Sequence, residues 1–137
     1  MNVRSFFIGA VLTLIGLNDL DAQERFRSCS AAFLDQHMIV SEYTDHGICE
    51  VSKLSGGTLT VQTVYLSPEE NRPTGKLKFR LAIQDGDTGT IWSYSDKTYQ
   101  DISIQEILGK CRAGDQIVLM TVDDDFALPH SKIAVKE

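Results

Sequence analysis

The stretch Lys76-Leu77-Lys78-Phe79-Arg80-Leu81-Ala82-Ile83-Gln84 decides the fold class. Leu77, Phe79, Leu81 and Ile83 recur at every second position against Lys78, Arg80 and Ala82. That period of two sets one row of side chains in a core and the other in water, as a strand does and a helix does not. Upstream, 58–66 is rich in Thr and Val, opens after Gly56-Gly57 and closes at Ser67-Pro68, where proline cannot donate to a ladder. The connection 69–75 carries Asn71, Pro73 and Gly75 and reads as a solvated turn region. Downstream, Gln84-Asp85-Gly86-Asp87 is a turn signal, and 90–95 resumes as a strand around Ile91, Trp92 and Tyr94. These three strands are expected to form a meander.

Further strands are expected at 31–34, 38–43 and 48–54, with Asp45-His46-Gly47 as a hairpin turn. The segment 115–122 alternates Ile117 and Leu119 with Val118, Met120 and Val122, so it reads as a central strand apolar on both faces. Asp123-Asp124-Asp125 breaks it, and 130–136 completes a sheet with Ile133 and Val135 set against Lys132 and Lys136. The spacing of Ile104, Ile107, Leu108 and Cys111 predicts one helix over 103–113, with Ser103 and Glu106 as a capping box and Gly114 as its C-terminal cap. Helices between successive strands, which an α/β fold requires, are missing from this pattern. The fold class is therefore mainly β: an antiparallel β-sandwich of about seven strands with one short α-helix.

The first 22 residues read as a cleaved signal peptide. Arg4 gives a basic start, 6–17 is an apolar run too short for the roughly 20 residues that span a bilayer, and Leu20-Asp21-Ala22 ends on a small residue. The expected mature chain, 23–137, is one domain. The full sequence has 13 basic and 19 acidic side chains; losing Arg4, Asp19 and Asp21 leaves 12 and 17. An acidic surface without a Lys/Arg-rich run argues against nucleic acid and against an anionic membrane as partners, since both require a basic footprint.

Export also brings an oxidising compartment, in which the three cysteines Cys29, Cys49 and Cys111 can form one bridge in any of three pairings. Cys29 with Cys49 is the preferred pair, closing a loop of about 20 residues worth roughly 3 kcal/mol in the chain-entropy model. Cys111 reads as a small buried hydrophobe at the C-terminal end of the helix, where the dipole disfavours a thiolate.

No residues are assigned to catalysis, to a cofactor or to a metal. His37, His46 and His130 lack the spacing that presents two ligands to one ion, and the aspartate run lacks the alternating pattern of a Ca²⁺ loop. No G-x-S-x-G elbow exists, and Gly56-Gly57 and Asp85-Gly86 open no helix that could hold phosphate. Trp92, Tyr94 and Tyr99 are the candidate binding face, a platform for a protein or a glycan if exposed and core if buried.

The C-terminal part, with Leu108-Gly109-Lys110-Cys111-Arg112-Ala113-Gly114-Asp115, then Gln116-Ile117-Val118-Leu119 and a closing Leu128-Pro129 before the last strand, resembles the C-terminal β-domain of the gliding-motility and type IX secretion protein GldM of Bacteroidota. The resemblance covers under half of the chain, and the family's membrane helix and long stalk have no counterpart in it. It implies a stand-alone relative used for protein contacts. The expected function is that of an exported, periplasmic or secreted, non-enzymatic module that binds a protein partner of the cell envelope. The alternative is a small hydrolase with a site assembled from distant loops, and a weaker third option is an inhibitor or immunity-type partner.

Overall fold

The computed structural model describes residues 29–66, 71–123 and 125–137. The expected leader, 1–22, lies outside them. Among the described residues, ten strands and one helix follow in chain order: β1 (Ser30–Leu34), β2 (His37–Met38), β3 (Glu50–Ser52), β4 (Thr58–Leu66), β5 (Asn71–Leu77), β6 (Phe79–Gln84), β7 (Ile91–Ser93), β8 (Ile102–Ser103), α1 (Ile104–Leu108), β9 (Gln116–Thr121) and β10 (Lys132–Lys136). They form two sheets, one ordered β2-β1-β4-β5 with β8 also on β4, the other β3-β10-β9-β6-β7. The sheets pack face to face as a β-sandwich. Among the described strands the pairing is antiparallel except between β3 and β10, which run parallel.

The alternation that opens the sequence reading holds, but the meander does not. Leu77 ends β5 opposite Val61 in the first sheet, and Phe79 begins β6 opposite Thr121 in the second. Lys78 alone makes the crossing. Because both sheets face the same core, side chains on either side of the corner keep their period of two. Phe79, Leu81 and Ile83 are fully buried, and Leu77 packs on the same cluster from the other layer. The corner is fixed by Phe79, whose N–H and C=O exchange hydrogen bonds of 2.8 Å with Tyr99, and by the Lys78 carbonyl, which accepts from the Val122 N–H.

The expected turn at 69–75 is also corrected, since 71–75 belong to β5. Asn, Pro and Gly suggest a turn, yet β5 is an end strand, where Pro73 need not donate. A bulge in β4 between Thr63 and Val64 breaks the register opposite it.

The helix is shorter than its periodicity suggests, ending at Leu108. Ser103 makes no side-chain cap, because it is paired with Thr58 in β8, and the Ile104 N–H goes to the Gly57 carbonyl. Gly114, at φ 99°, turns the chain before β9 and does not end the helix. Cys111 is buried as expected, in the loop after the helix.

Strand β9 is central in its ladder, between β10 and β6, but only Ile117 and Leu119 reach the core. Met120 and Val122 are about half exposed on the outer face, so the two-faced burial expected for this strand is not found. On β10, Ile133 and Val135 are buried between Lys132 and Lys136, as the pattern required. The first sheet also buries Ala31, Phe33 and Thr60 on its far side, apart from the main cluster.

Asp115, buried before β9, accepts from the Gly86 N–H at 3.0 Å and the Arg112 N–H at 2.8 Å, joining two loops. Truncating Phe79 to Ala is expected to cost about 3–5 kcal/mol in chemical denaturation, as for other buried aromatics. Met120→Ala is expected to stay within about 0.5 kcal/mol. Equal losses at both sites would contradict the burial of one face only.

Candidate functional site

The structure divides the aromatic face. Trp92 lies opposite Ile83 in end strand β7 and keeps 41% of its surface exposed. Tyr94 and Tyr99 instead pack against the main core, edge to face at 6.4 Å, with Phe79 6.2 Å from Tyr99. The Tyr99 hydroxyl is 2.7 Å from Ser95 Oγ, and Lys110 Nζ stands 4.7 Å from the Tyr94 ring centroid. Trp92 and Tyr94 share a face, as alternation demands, but only Trp92 is open enough to serve as a platform.

Cys29 and Cys49 are not joined in the structure. Cys49 bridges to Val40, while the Ile39 N–H bonds to the Ala32 carbonyl on β1. Two strand spacings, roughly 10 Å, therefore lie between Cys49 and the β1 line that Cys29 opens, beyond the ~7 Å Cα separation a disulfide tolerates. Burial pushes the Cys49 thiol up to about 11. Cys111 is likewise pushed up to about 11, by burial first and by the Asp115 carboxylate second, with Lys53 opposing.

The histidines stand apart. His46 sits in the 44–47 turn with its N–H on Thr44 Oγ1, and His130 reaches the Thr44 carbonyl through Nε2 at 2.9 Å. The His130 ring meets Tyr43 edge-on at 5.3 Å, and the Tyr43 hydroxyl donates to the Ser30 carbonyl at 2.9 Å. Burial, then the neighbouring Cys29, raises the Tyr43 hydroxyl well above its ordinary value. These contacts close one corner of the sandwich.

His37 lies elsewhere, in a groove that sequence reasoning missed. The hairpin over 40–49 is held by the Val40–Cys49 bridge and by the Ser41 N–H on the Ile48 carbonyl at 2.9 Å. Beyond it the two strands part. Strand β2 stays on β1, with Met38 opposite Phe33, while β3 leaves to run beside β10, with Val51 opposite Val135. The space between them is a cavity of about 560 Å³ with Leu34, Ile39 and Val51 among its apolar lining and Asp35, His37, Glu50 and Lys136 among its polar lining. Such a volume suits a ligand or a short segment of chain.

Main-chain groups also face this space. The bonds from the Ala134 N–H to the Cys49 carbonyl and from the Lys53 N–H to the Lys136 carbonyl direct alternate residues of β3 at β10. Glu50, between them, points the other way, and the Val40–Cys49 bridge sets its N–H toward the Ile39 carbonyl, which leaves its C=O on the groove side. The Ile39 N–H is spent on the Ala32 carbonyl of β1, and Met38, one residue before it, points out.

One lip of the groove is the turn 52–55. The Ser52 N–H bonds to Ser55 Oγ, the Ser55 N–H to the Ser52 carbonyl and the Leu54 N–H to Ser52 Oγ, all near 3.0 Å. Lys53 folds inward, its ammonium 2.8 Å from the Leu108 carbonyl and 2.5 Å from that of Cys111. Leu54 is left projecting into water with 91% of its surface exposed. Opposite, Asp35 at φ 57° accepts the Thr58 N–H on Oδ1 at 3.0 Å. Gly57 is required there: at φ 116° it takes a left-handed conformation, and a Cβ on it would come within 2.7 Å of Asp35 Oδ2.

The only sequence sign of this site is a leucine set between Lys53 and Ser55-Gly56-Gly57, a turn position where an apolar side chain has nothing local to cover it. Chemically the groove is equipped to bind. The Ser52 and Ser55 hydroxyl oxygens already accept turn amides. Among the described residues no three His, Cys, Asp or Glu side chains gather around one point.

At pH 8 Cys49 and Cys111 are expected to alkylate more slowly than a peptide thiol, by quantitative mass spectrometry. Their raised values stabilise the fold fully below about pH 9, and that contribution is lost as pH climbs through about 11. Alkylation of native Cys49 at the peptide rate would contradict its burial. Comparison of the chain with family models, curated proteins and solved structures finds no match.

Proposed function

We propose that this chain is an exported, non-enzymatic β-sandwich of the cell envelope or the secreted fraction that binds a protein partner in the groove between β2 and β3, with Leu54 as its anchor. The supporting observation is Leu54 itself. A leucine side chain gains about 2 kcal/mol when buried, and here it is 91% exposed between two tethered residues. Its neighbours do not let it fold back, so a partner can cover it without first ordering the turn, which lowers the cost of binding. The resemblance to the GldM β-domain fits this reading, as a stand-alone unit used for protein contacts.

The test is a photo-crosslinking residue at position 54, with position 120 on the outer face of β9 as comparison, in the native envelope. A discrete adduct from position 54 alone is expected. Leu54→Glu is expected to weaken capture of the same protein at least about tenfold, or about 1.4 kcal/mol, while moving stability by no more than about 0.5 kcal/mol. Adducts from position 120 and not 54, or activity in a hydrolase panel abolished by a single substitution, would refute the proposal.

A further inference from the structure

We infer that the partner seats one Lys or Arg side chain in the groove, its stem on Leu34, Ile39 and Val51 and its charged head on Asp35; this rests on the groove being the binding site. The lining is layered by polarity. Leu34 and Ile39 pack against the main core, Val51 belongs to it, and all three line the groove. The charged lining residues Asp35, Glu50 and Lys136 are exposed. A side chain that is apolar along its length and cationic at its tip meets both layers, as long basic side chains do wherever apolar surface borders water. A hydrated inorganic cation would leave the apolar part uncovered, and a purely apolar side chain would bring nothing to the carboxylate.

The local charges set the sign. Of the two carboxylates lining the groove, Glu50 has the Lys136 ammonium at 4.0 Å. Lys53, on the lip, is turned away, with its ammonium on the carbonyls of Leu108 and Cys111. Asp35, among the described residues, has no Lys, Arg or His within ion-pair distance, so one carboxylate of the groove stands without a cation. Its Oδ1 accepts the Thr58 N–H, which fixes the orientation of the carboxylate before a partner arrives and lowers the cost of pairing. The formal net charge of −6 repels an acidic segment and adds a long-range pull on a basic one.

The experiment selects random dodecapeptides displayed on phage against the full chain, then measures resynthesised winners by fluorescence polarisation. Winners are expected to share one Lys or Arg together with an apolar residue for Leu54. Asp35→Asn tolerates the same positive φ and can still accept from Thr58, and thermal melting checks that its fold is retained. It is expected to weaken the winners about threefold at low salt, and less as salt rises. A second arm leaves the protein untouched: norleucine in place of the basic residue keeps the stem and removes the charge, so these peptides are expected to lose their salt dependence and to bind Asp35→Asn and the unsubstituted chain alike. Winners without a basic position, or basic winners that bind Asp35→Asn equally well, overturn the inference; if they are still lost on Leu54→Glu, the groove stands as the site. Winners indifferent to both substitutions remove both readings, and a selection that enriches nothing overturns the inference.

Discussion

The ammonium of Lys53, seated on the carbonyls of Leu108 and Cys111, links three features that otherwise have little in common. It meets the negative end of the short helix, where carbonyls have run out of intrahelical partners. It ties the end of β3 to the end of the helix and the loop that follows it. With Lys53 drawn inward, Leu54 is left at the tip of the closed 52–55 turn, facing out.

That tether works together with the corner at Lys78. On one side of the sandwich the chain passes between sheets in a single residue, so the two layers are stitched where Leu77 and Phe79 face the same core. Near β2 and β3 the layers are joined through the 40–49 hairpin at one end and the 53–57 crossing at the other, and they part between the two. A groove follows where the chain holds the layers together at both crossings and lets them diverge between. The polar fittings of that groove, Asp35 with Thr58 and Gly57, and Ser52 with Ser55, are each satisfied within a few residues of the gap.

The layered β architecture was legible in the sequence where burial is decided by local alternation. Phe79, Leu81 and Ile83 on β6 and Ile133 and Val135 on β10 lie where their period of two places them. What was not legible depends on residues far apart. Strand β5 hides behind Asn71, Pro73 and Gly75, whose turn chemistry is overridden by pairing with β4. The helix keeps its apolar spacing to Cys111 but starts only at Ile104, since Ser103 is committed to a strand, and after Leu108 gives way to i→i+3 bonds from Lys110 and Cys111, with Lys53 on the last carbonyls. Of the aromatic face, Trp92 alone remained open, since the Phe79 corner draws Tyr99 and with it Tyr94 into the core. The groove is assembled from 34–39, 50–56 and Lys136, and no single window of sequence contains it.

Amide hydrogen exchange of the turn 52–55 in the partner-free protein tests the central claim most directly. If the Lys53 tether presents Leu54 on a fixed turn, the Ser52, Leu54 and Ser55 amides exchange well below the unstructured-chain rate despite their position at the surface, and Lys53→Met speeds them while the β6 and β9 amides stay protected. Unstructured-chain rates in the unmodified protein, or rates indifferent to Lys53→Met, would contradict it.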